Sequence, residues 1–333
     1  MRLFNRIPQL KIQSGFSLIE LMISITIGLI IVIAAMSAYL AASQSGKVAE
    51  AQARLNEDGQ AAIAILTQHI RMAGFNPDQA ARALNSRTNP VYGTTSFATS
   101  PGSFSLSNFI VRGCDGKFSN ITAANSLDSL TCAGSSTLPD SLAINYEADR
   151  FNTIPTVAGA PTDCLGNSLT TITANLPTLV GSATSTNAVT YTVADLRFYV
   201  GTSTVITSPS LYCKGNGGTS TAQPLVENIE DLQFTFGAVS TATTSTTATA
   251  AGYLSAYEVV NEANMAALAS DAMRWEKVKT VRICVLVRSE ASVAPDLASA
   301  RYVKCDGTLQ TSPPDLRLRR AFFTTVTLRN WQP

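Results

Sequence analysis

The sequence predicts an α+β fold: a long N-terminal helix, membrane-embedded in its first half and amphipathic in its second, docked on a disulfide-bonded antiparallel β-sheet head. Three features of the 333 residues predict it. An apolar run from Phe16 to Ala42 continues into proline-free sequence as far as Ala73. Beyond Pro77 the pattern changes to short alternating or β-branched runs set among Ser, Thr, Gly and Pro. All six cysteines lie in that second region, an even set.

The first fifteen residues are basic (Arg2, Arg6, Lys11) and end at Gly15. The apolar run that follows holds one charged residue, Glu20, and at about 1.5 Å per residue it can cross a hydrocarbon core of about 30 Å. Basic residues before it and the first balanced charges after it (Lys47, Glu50) place the N-terminus in the cytoplasm and the rest outside. A secretory signal peptide would have a shorter apolar core and then a small-residue cleavage site. The unbroken continuation into more helix argues for retention. A carboxylate inside an apolar helix costs about 2.5–3.5 kcal/mol on insertion scales, so Glu20 needs a partner unless it sits at headgroup level. Cleavage after Gly15 would create one, the amine of Phe16 four residues earlier; the same amine on a neighbouring subunit would serve equally.

From Ser43 to Ala73 the helix continues, with Val48, Leu55, Ala62, Leu66 and Ile70 forming a stripe suited to packing on a domain. Gly74 and Pro77 supply the stop. His69, the one histidine, lies on this helix without an evident nucleophile or metal partner and reads as structural. Thr88–Ser107 reads as an irregular connection. Strands are expected at Asn108–Arg112, Ser141–Tyr146, Val189–Tyr199, Asp231–Phe236, Val278–Val287 and Ala321–Leu328. Ser240–Ala251 is almost wholly Ser, Thr and Ala and reads as a flexible loop. Glu262–Trp275 reads as a short helix.

Formal net charge is +1, so no global field points to nucleic acid. Three of the basic residues lie in the first fifteen, leaving 21 basic against 23 acidic side chains beyond them. No two of the six cysteines (Cys114, Cys132, Cys164, Cys213, Cys284, Cys305) have zinc-knuckle or thioredoxin spacing. After an export segment they read as three disulfides, and spacing alone cannot choose among fifteen pairings. No H-E-x-x-H, G-x-S-x-G or Walker loop is present. Lys214-Gly215-Asn216-Gly217-Gly218 lacks phosphate-loop spacing and reads as a turn, as do Cys114-Asp115-Gly116 and Cys305-Asp306-Gly307. No ladder of acidic ligands supports calcium. The chain is expected not to be an enzyme, with no cofactor and no metal.

Gly15-Phe16-Ser17-Leu18-Ile19-Glu20-Leu21-Met22 resembles the class III leader junction of type IV prepilins. The resemblance implies that a prepilin peptidase cuts between Gly15 and Phe16 and N-methylates Phe16. It also implies that Glu20 aligns an incoming subunit with its neighbour's amine. The chain then divides into a leader (1–15), a transmembrane and assembly helix (16–42), the amphipathic half of the spine (43–75), an irregular connection (76–107) and a β-rich head (108–333).

Further residues are similar to the PilW-type minor pilins. They are Asp58-Gly59-Gln60 with Ile70-Arg71-Met72-Ala73-Gly74-Phe75, Asp163-Cys164-Leu165-Gly166, Leu211-Tyr212-Cys213, and Pro224-Leu225-Val226-Glu227-Asn228-Ile229. Val281-Arg282-Ile283 before Val287-Arg288-Ser289 and the stretch Arg319–Asn330 complete the set. The Ser/Thr/Ala segment Ser240–Ala251 departs from the pattern. The resemblance implies a minor pilin that helps start type IV pilus assembly and sits at or near the filament tip, supporting twitching, adhesion or DNA uptake. Implied partners are the prepilin peptidase, other minor pilins and the major pilin, the inner-membrane assembly platform and a large tip-associated adhesin. The head would lie in the periplasm and then on the pilus. A J-type pseudopilin of type II secretion shares leader and spine but usually has a smaller head with fewer cysteines. An adhesive module that never enters a filament is a third reading, opposed by the junction.

The expected disulfides are Cys114–Cys132, Cys164–Cys213 and Cys284–Cys305. Cys114 and Cys132 flank a polar loop, and Cys305 follows Cys284 after a short connection. Cys164–Cys213 is, by the resemblance, the family's characteristic pair.

Overall fold

A computed structural model of the chain describes residues 15, 17–76, 96–99, 102–105, 109–134, 137–180, 183–218, 221–239, 250–261, 268 and 270–330. Helix α1 spans Leu18–Met72 and belongs to two units, one ending at Glu50 and one beginning at Ala51.

In the first unit the helix has no apolar stripe, because it is apolar all round. Leu18, Ile23, Ile30, Met36 and Tyr39 are all more than half exposed, and they point in every direction around the axis. A helix of that kind is stable only where lipid or other helices cover it.

In the second unit the helix is one-sided. Leu55, Gly59, Ala62, Leu66 and Ile70 are buried at three- and four-residue steps. Gly59 is there because Phe322 needs the space: a Cβ at 59 would lie 2.3 Å from the phenyl ring. Polar contacts flank this seam. Arg320 donates to the Asn56 side chain at 3.0 Å, and the Asn330 amide donates to the Arg71 carbonyl at 2.8 Å. Asp58 is hydrogen-bonded to the Asn228 side chain, while burial pushes its carboxyl pKa up. The His69 ring lies 5.5 Å from that of Phe198, and burial pushes its pKa down to about 4, so it is a neutral packing residue. The helix ends at Gly74, whose φ of +72° suits glycine. Gly74 then donates to the Asn145 carbonyl and Phe75 accepts from Glu147, both at 2.8 Å, so the exit of the helix runs along a strand.

Two antiparallel sheets form the head. Strands β1 (Ser96–Thr99) and β2 (Gly102–Ser105) first make a separate hairpin with Phe97 opposite Phe104 in register. This hairpin stands where an irregular connection was expected. The six-stranded sheet contains β3 (Val111–Cys114), β4 (Ser141–Glu147), β5 (Thr171–Val180), β6 (Ala183–Gly201), β7 (Ser210–Lys214) and β8 (Gln223–Glu227). Its order is β3-β4-β6-β7-β8, with β5 paired to the first half of β6. The four-stranded sheet contains β9 (Ile229–Val239), β10 (Ala250–Leu254), β11 (Val278–Ser292) and β14 (Arg317–Thr327) in the order β10-β9-β11-β14. Between β11 and β14 lie two short paired strands, β12 (Tyr302–Val303) and β13 (Leu309–Gln310).

Of the helix expected over Glu262–Trp275, residues 262–267 and 269 lie outside the described residues; α3 (Asp271–Trp275) forms its end, and a separate α2 (Ala256–Asn261) precedes it. Ser270 caps α3 through the Met273 amide, which fixes its start. Ser240–Thr249, within the expected loop, lies outside the described residues, and Ala250–Ala251 already belongs to β10.

Alternation explains the four-stranded sheet. Val281, Ile283, Val285 and Val287 are buried on one face of β11, opposite Phe234 and Phe236 of β9. Asp140 joins the two sheets at the start of β4. Its backbone N–H donates to the Leu232 carbonyl at 2.6 Å, and its carboxylate accepts from the Gly116 and Phe234 amides at 2.8 and 2.9 Å. Burial, opposed by these two bonds, pushes its pKa up from 3.8 to about 7. A carboxyl raised in the folded state stabilises fully below its unfolded pKa, and that contribution is lost as pH rises through the folded one. Wild type should therefore lose about 2–4 kcal/mol relative to Asp140→Asn between pH 4 and pH 8. Thermal unfolding of both proteins across that range measures it; a pH-independent difference would refute the shift.

Candidate processing and assembly segment

The residues expected to be processed sit at the beginning of α1. Gly15 is exposed, with open space around the position a Cβ would take. Phe16 lies outside the described residues. Ser17 starts the helix by accepting from the Leu21 amide at 3.1 Å. Glu20 stands in the first turn, where the helix dipole favours a negative charge. It is exposed, and its carboxylate has no hydrogen-bond partner among the described residues; Ser24 bonds only its backbone carbonyl, at 2.7 Å.

The sequence agrees with this geometry in two places. Residues 10–36 match the model of the prokaryotic N-terminal methylation motif. Residues 197–330, from the end of β6 to just past β14, match the model of the type IV pilus-assembly protein W, PilW. Over those residues the head is similar to the PilW family of type IV pilus-assembly proteins. No curated protein and no solved structure matches it.

The methylation motif and the similarity to PilW support a pilin role in pilus assembly, with processing by a prepilin peptidase and contact with other pilins. Its apolar N-terminal helix is the membrane-anchoring segment. Several stretches that carried the resemblance lie inside the match, including Leu211–Cys213, Pro224–Ile229 and Arg319–Asn330. The helix end around Ile70–Phe75 and the Asp163 turn lie before it.

The head's cysteines are paired as Cys114–Cys132, Cys164–Cys213 and Cys284–Cys305, with Cα separations of 5.6, 6.5 and 5.6 Å. Each closes a different part of the head. Cys114–Cys132 ties the end of β3 to the segment that follows it. Cys284–Cys305 holds the β12–β13 excursion against β11. Cys164–Cys213 joins the Asp163 turn to β7, and here the local sequence explains the pairing. Asp163 accepts from the Leu165 and Asn167 amides at 2.9 Å each, which closes the turn. Its other oxygen takes the Gly217 amide at 3.1 Å. Gly215 must lack a Cβ, which would lie 2.1 Å from that oxygen. The glycine-rich stretch after Cys213 is thus a turn shaped to the Asp163 carboxylate. Among the described residues no cluster of three or more metal-ligating side chains occurs.

Two groups that the sequence reading passed over complete the head's polar interior. Arg197 pairs with Asp195 through two bonds of 2.9 Å, with both side chains almost wholly buried. Arg319 forks between Glu230 and Asp315, its guanidinium 5.3 Å from the Tyr302 ring centroid. The signal for the first was available: two opposite charges, two residues apart, on one face of an apolar strand.

Proposed function

We propose that this protein is a minor pilin of the PilW family that helps initiate the type IV pilus and is incorporated at or near its tip, in support of twitching motility, adhesion or DNA uptake. The match of the head to the PilW model, on a chain that also carries the methylation motif, supports this reading over a secretion pseudopilin. Residues 1–15 act as leader, cut between Gly15 and Phe16, with Phe16 methylated. Residues 16–42 anchor and assemble, 43–75 form the docked half of the spine, 76–107 connect, and 108–333 form the head. The N-terminus is cytoplasmic and the head periplasmic until the subunit enters the filament. The partners beyond the peptidase are other minor pilins, the major pilin, the inner-membrane assembly platform and a large tip adhesin. The role is structural, not catalytic. A deletion strain scored separately for surface pili and for type II secretion tests the assignment: loss of pili with normal secretion is expected, and the reverse would favour a J-type pseudopilin.

Glu20 carries the assembly step. Its exposed carboxylate, without a hydrogen-bond partner among the described residues, favours an ion pair with the Phe16 amine of a neighbouring subunit, worth most where lipid excludes water. Glu20→Ala is expected to insert in the membrane at least as well as wild type while incorporation falls tenfold or more. Membrane fractionation and immunodetection in sheared filaments read the two steps apart; normal incorporation would remove Glu20 from the mechanism.

A further inference from the structure

Strand β14 ends the four-stranded sheet, so one of its sides is an edge. Its register with β11 runs unbroken from Arg319 to Thr327, and the Leu328 amide donates to the Lys279 carbonyl at 2.9 Å. That bond sets the phase of the ladder. Phe322, Thr324 and Val326 bond to β11, while the backbone N–H and C=O of Phe323, Thr325 and Thr327 turn to the open side. Among the described residues β14 pairs with no strand but β11.

Natural edges are blunted by charge, proline, a bulge or short length. Elsewhere in the head they are: β5 and β8 carry Pro177 and Pro224, and β3 and β10 have four and five residues. The run Ala321–Thr327 has none of these devices. It is uncharged, free of proline and made mostly of aromatic and β-branched residues. Arg320, just before it, is spent on the Asn56 side chain at 3.0 Å. Phe323 is 47% exposed, with the Arg282 guanidinium 5.5 Å from its ring centroid.

Beside this edge, between β14 and α1, runs a groove of about 720 Å³. Ile63, Ala64 and Thr67 line it from the helix, Phe322 and Thr324 from the strand. The Thr67 hydroxyl there is buried without a hydrogen-bond partner among the described residues. A strand added to β14 would turn every second side chain into this groove. Direction narrows the occupant. Arg320 meets Asn56 and Asn330 meets Arg71, so β14 runs in the same sense as α1. Subunits that each cross one membrane once, N-terminus inside, hold their spines parallel. A neighbour standing along this flank of α1 therefore sets its head beside β14. A strand of it antiparallel to β14 runs against its own spine, as β10 and β11 do here.

We propose that the outer edge of β14, from Ala321 to Thr327, pairs with a strand in the head of a neighbouring pilin, which extends the four-stranded sheet and fills the α1–β14 groove with its alternate side chains. The proposal rests on the pilin role above. The probe is p-benzoylphenylalanine in place of Phe323, in the full chain in piliated cells. The control is the same residue in place of Thr235, two strands inward on the same face. Expected is a photo-adduct with another protein that carries the methylation motif, mapped by mass spectrometry to one strand of its head. The control should give at least tenfold less. Thr325→Pro and Thr327→Pro each remove an edge donor without touching a bond to β11. With the probe at 323, either should cut the adduct at least tenfold while the unfolding midpoint stays near that of wild type. An adduct that survives both proline variants, an equal adduct from position 235, or none with a methylation-motif protein overturns the proposal. Pili retained on deletion of the gene would overturn the pilin reading as well; pili lost on deletion leave that reading standing while the adducts decide the edge.

Discussion

Replacement of Gly15 by alanine is expected to leave the fifteen-residue leader attached to essentially all of the protein. The experiment is clean because the fold has no stake in the residue. Gly15 lies before the first turn of α1, and a Cβ there meets open space. Membrane insertion depends on the apolar run beyond it, which the substitution does not touch. What changes is the scissile bond itself, where a peptidase that draws an extended backbone into its site would meet a methyl group. Retained leader also means no free amine on Phe16, so Glu20 loses the partner that assembly would give it. Immunoblots of membrane fractions should show only the precursor size, and sheared filaments should contain none of it. A mature-sized band from Gly15→Ala would place the cut elsewhere and take the role of Phe16 with it.

The long helix and the β11–β14 pair were legible in the sequence because in each a single period dominates. The run to Ala42 is apolar at every position, and the Leu55–Ile70 stripe repeats at helical steps. Val281, Ile283, Val285 and Val287 alternate over three repeats of the pleat. Strands β5 and β8 were missed for a definite reason. Each contains a proline, Pro177 or Pro224, which reads as a breaker, yet β8 ends its sheet and β5 pairs only with β6, where a missing donor is tolerated. Strand β7, Ser210–Lys214, is buried on both faces and five residues long, too short for any period to show. The methylation motif was readable because it is local, a junction in eight consecutive residues within the matched 10–36. The role of Asp140 was not, since its two amide donors come from positions 24 and 94 residues away and meet it only after the sheets have closed.

Arg197→Met is expected to destabilise the head by about 3–5 kcal/mol, the cost of stranding a buried carboxylate. The side chains of Arg197 and Asp195 are 3% and 1% exposed, so water cannot replace the lost partner. The remaining guanidinium nitrogen of Arg197 donates to the Ile121 carbonyl at 2.8 Å, and that acceptor is orphaned as well. Lys214 lies opposite Arg197 in the β6–β7 register and feels the Asp195 charge, but burial pushes its own pKa down, so it replaces the guanidinium poorly. The contrast with the surface pair Arg54–Glu290 sets the scale. There the nitrogen and oxygen are 3.7 Å apart with side chains 63% and 76% exposed, and Arg54→Ala should cost less than about 1 kcal/mol. The pair in β6 is therefore expensive to break rather than valuable to keep, and the double variant Arg197→Met/Asp195→Leu should recover most of the loss. Urea unfolding of the processed chain in detergent, disulfides intact, measures all three. A single-variant cost under 1 kcal/mol would mean that solvent or Lys214 reaches Asp195 after all. A double variant no more stable than Arg197→Met would instead assign the cost to the Ile121 carbonyl and the segment it anchors.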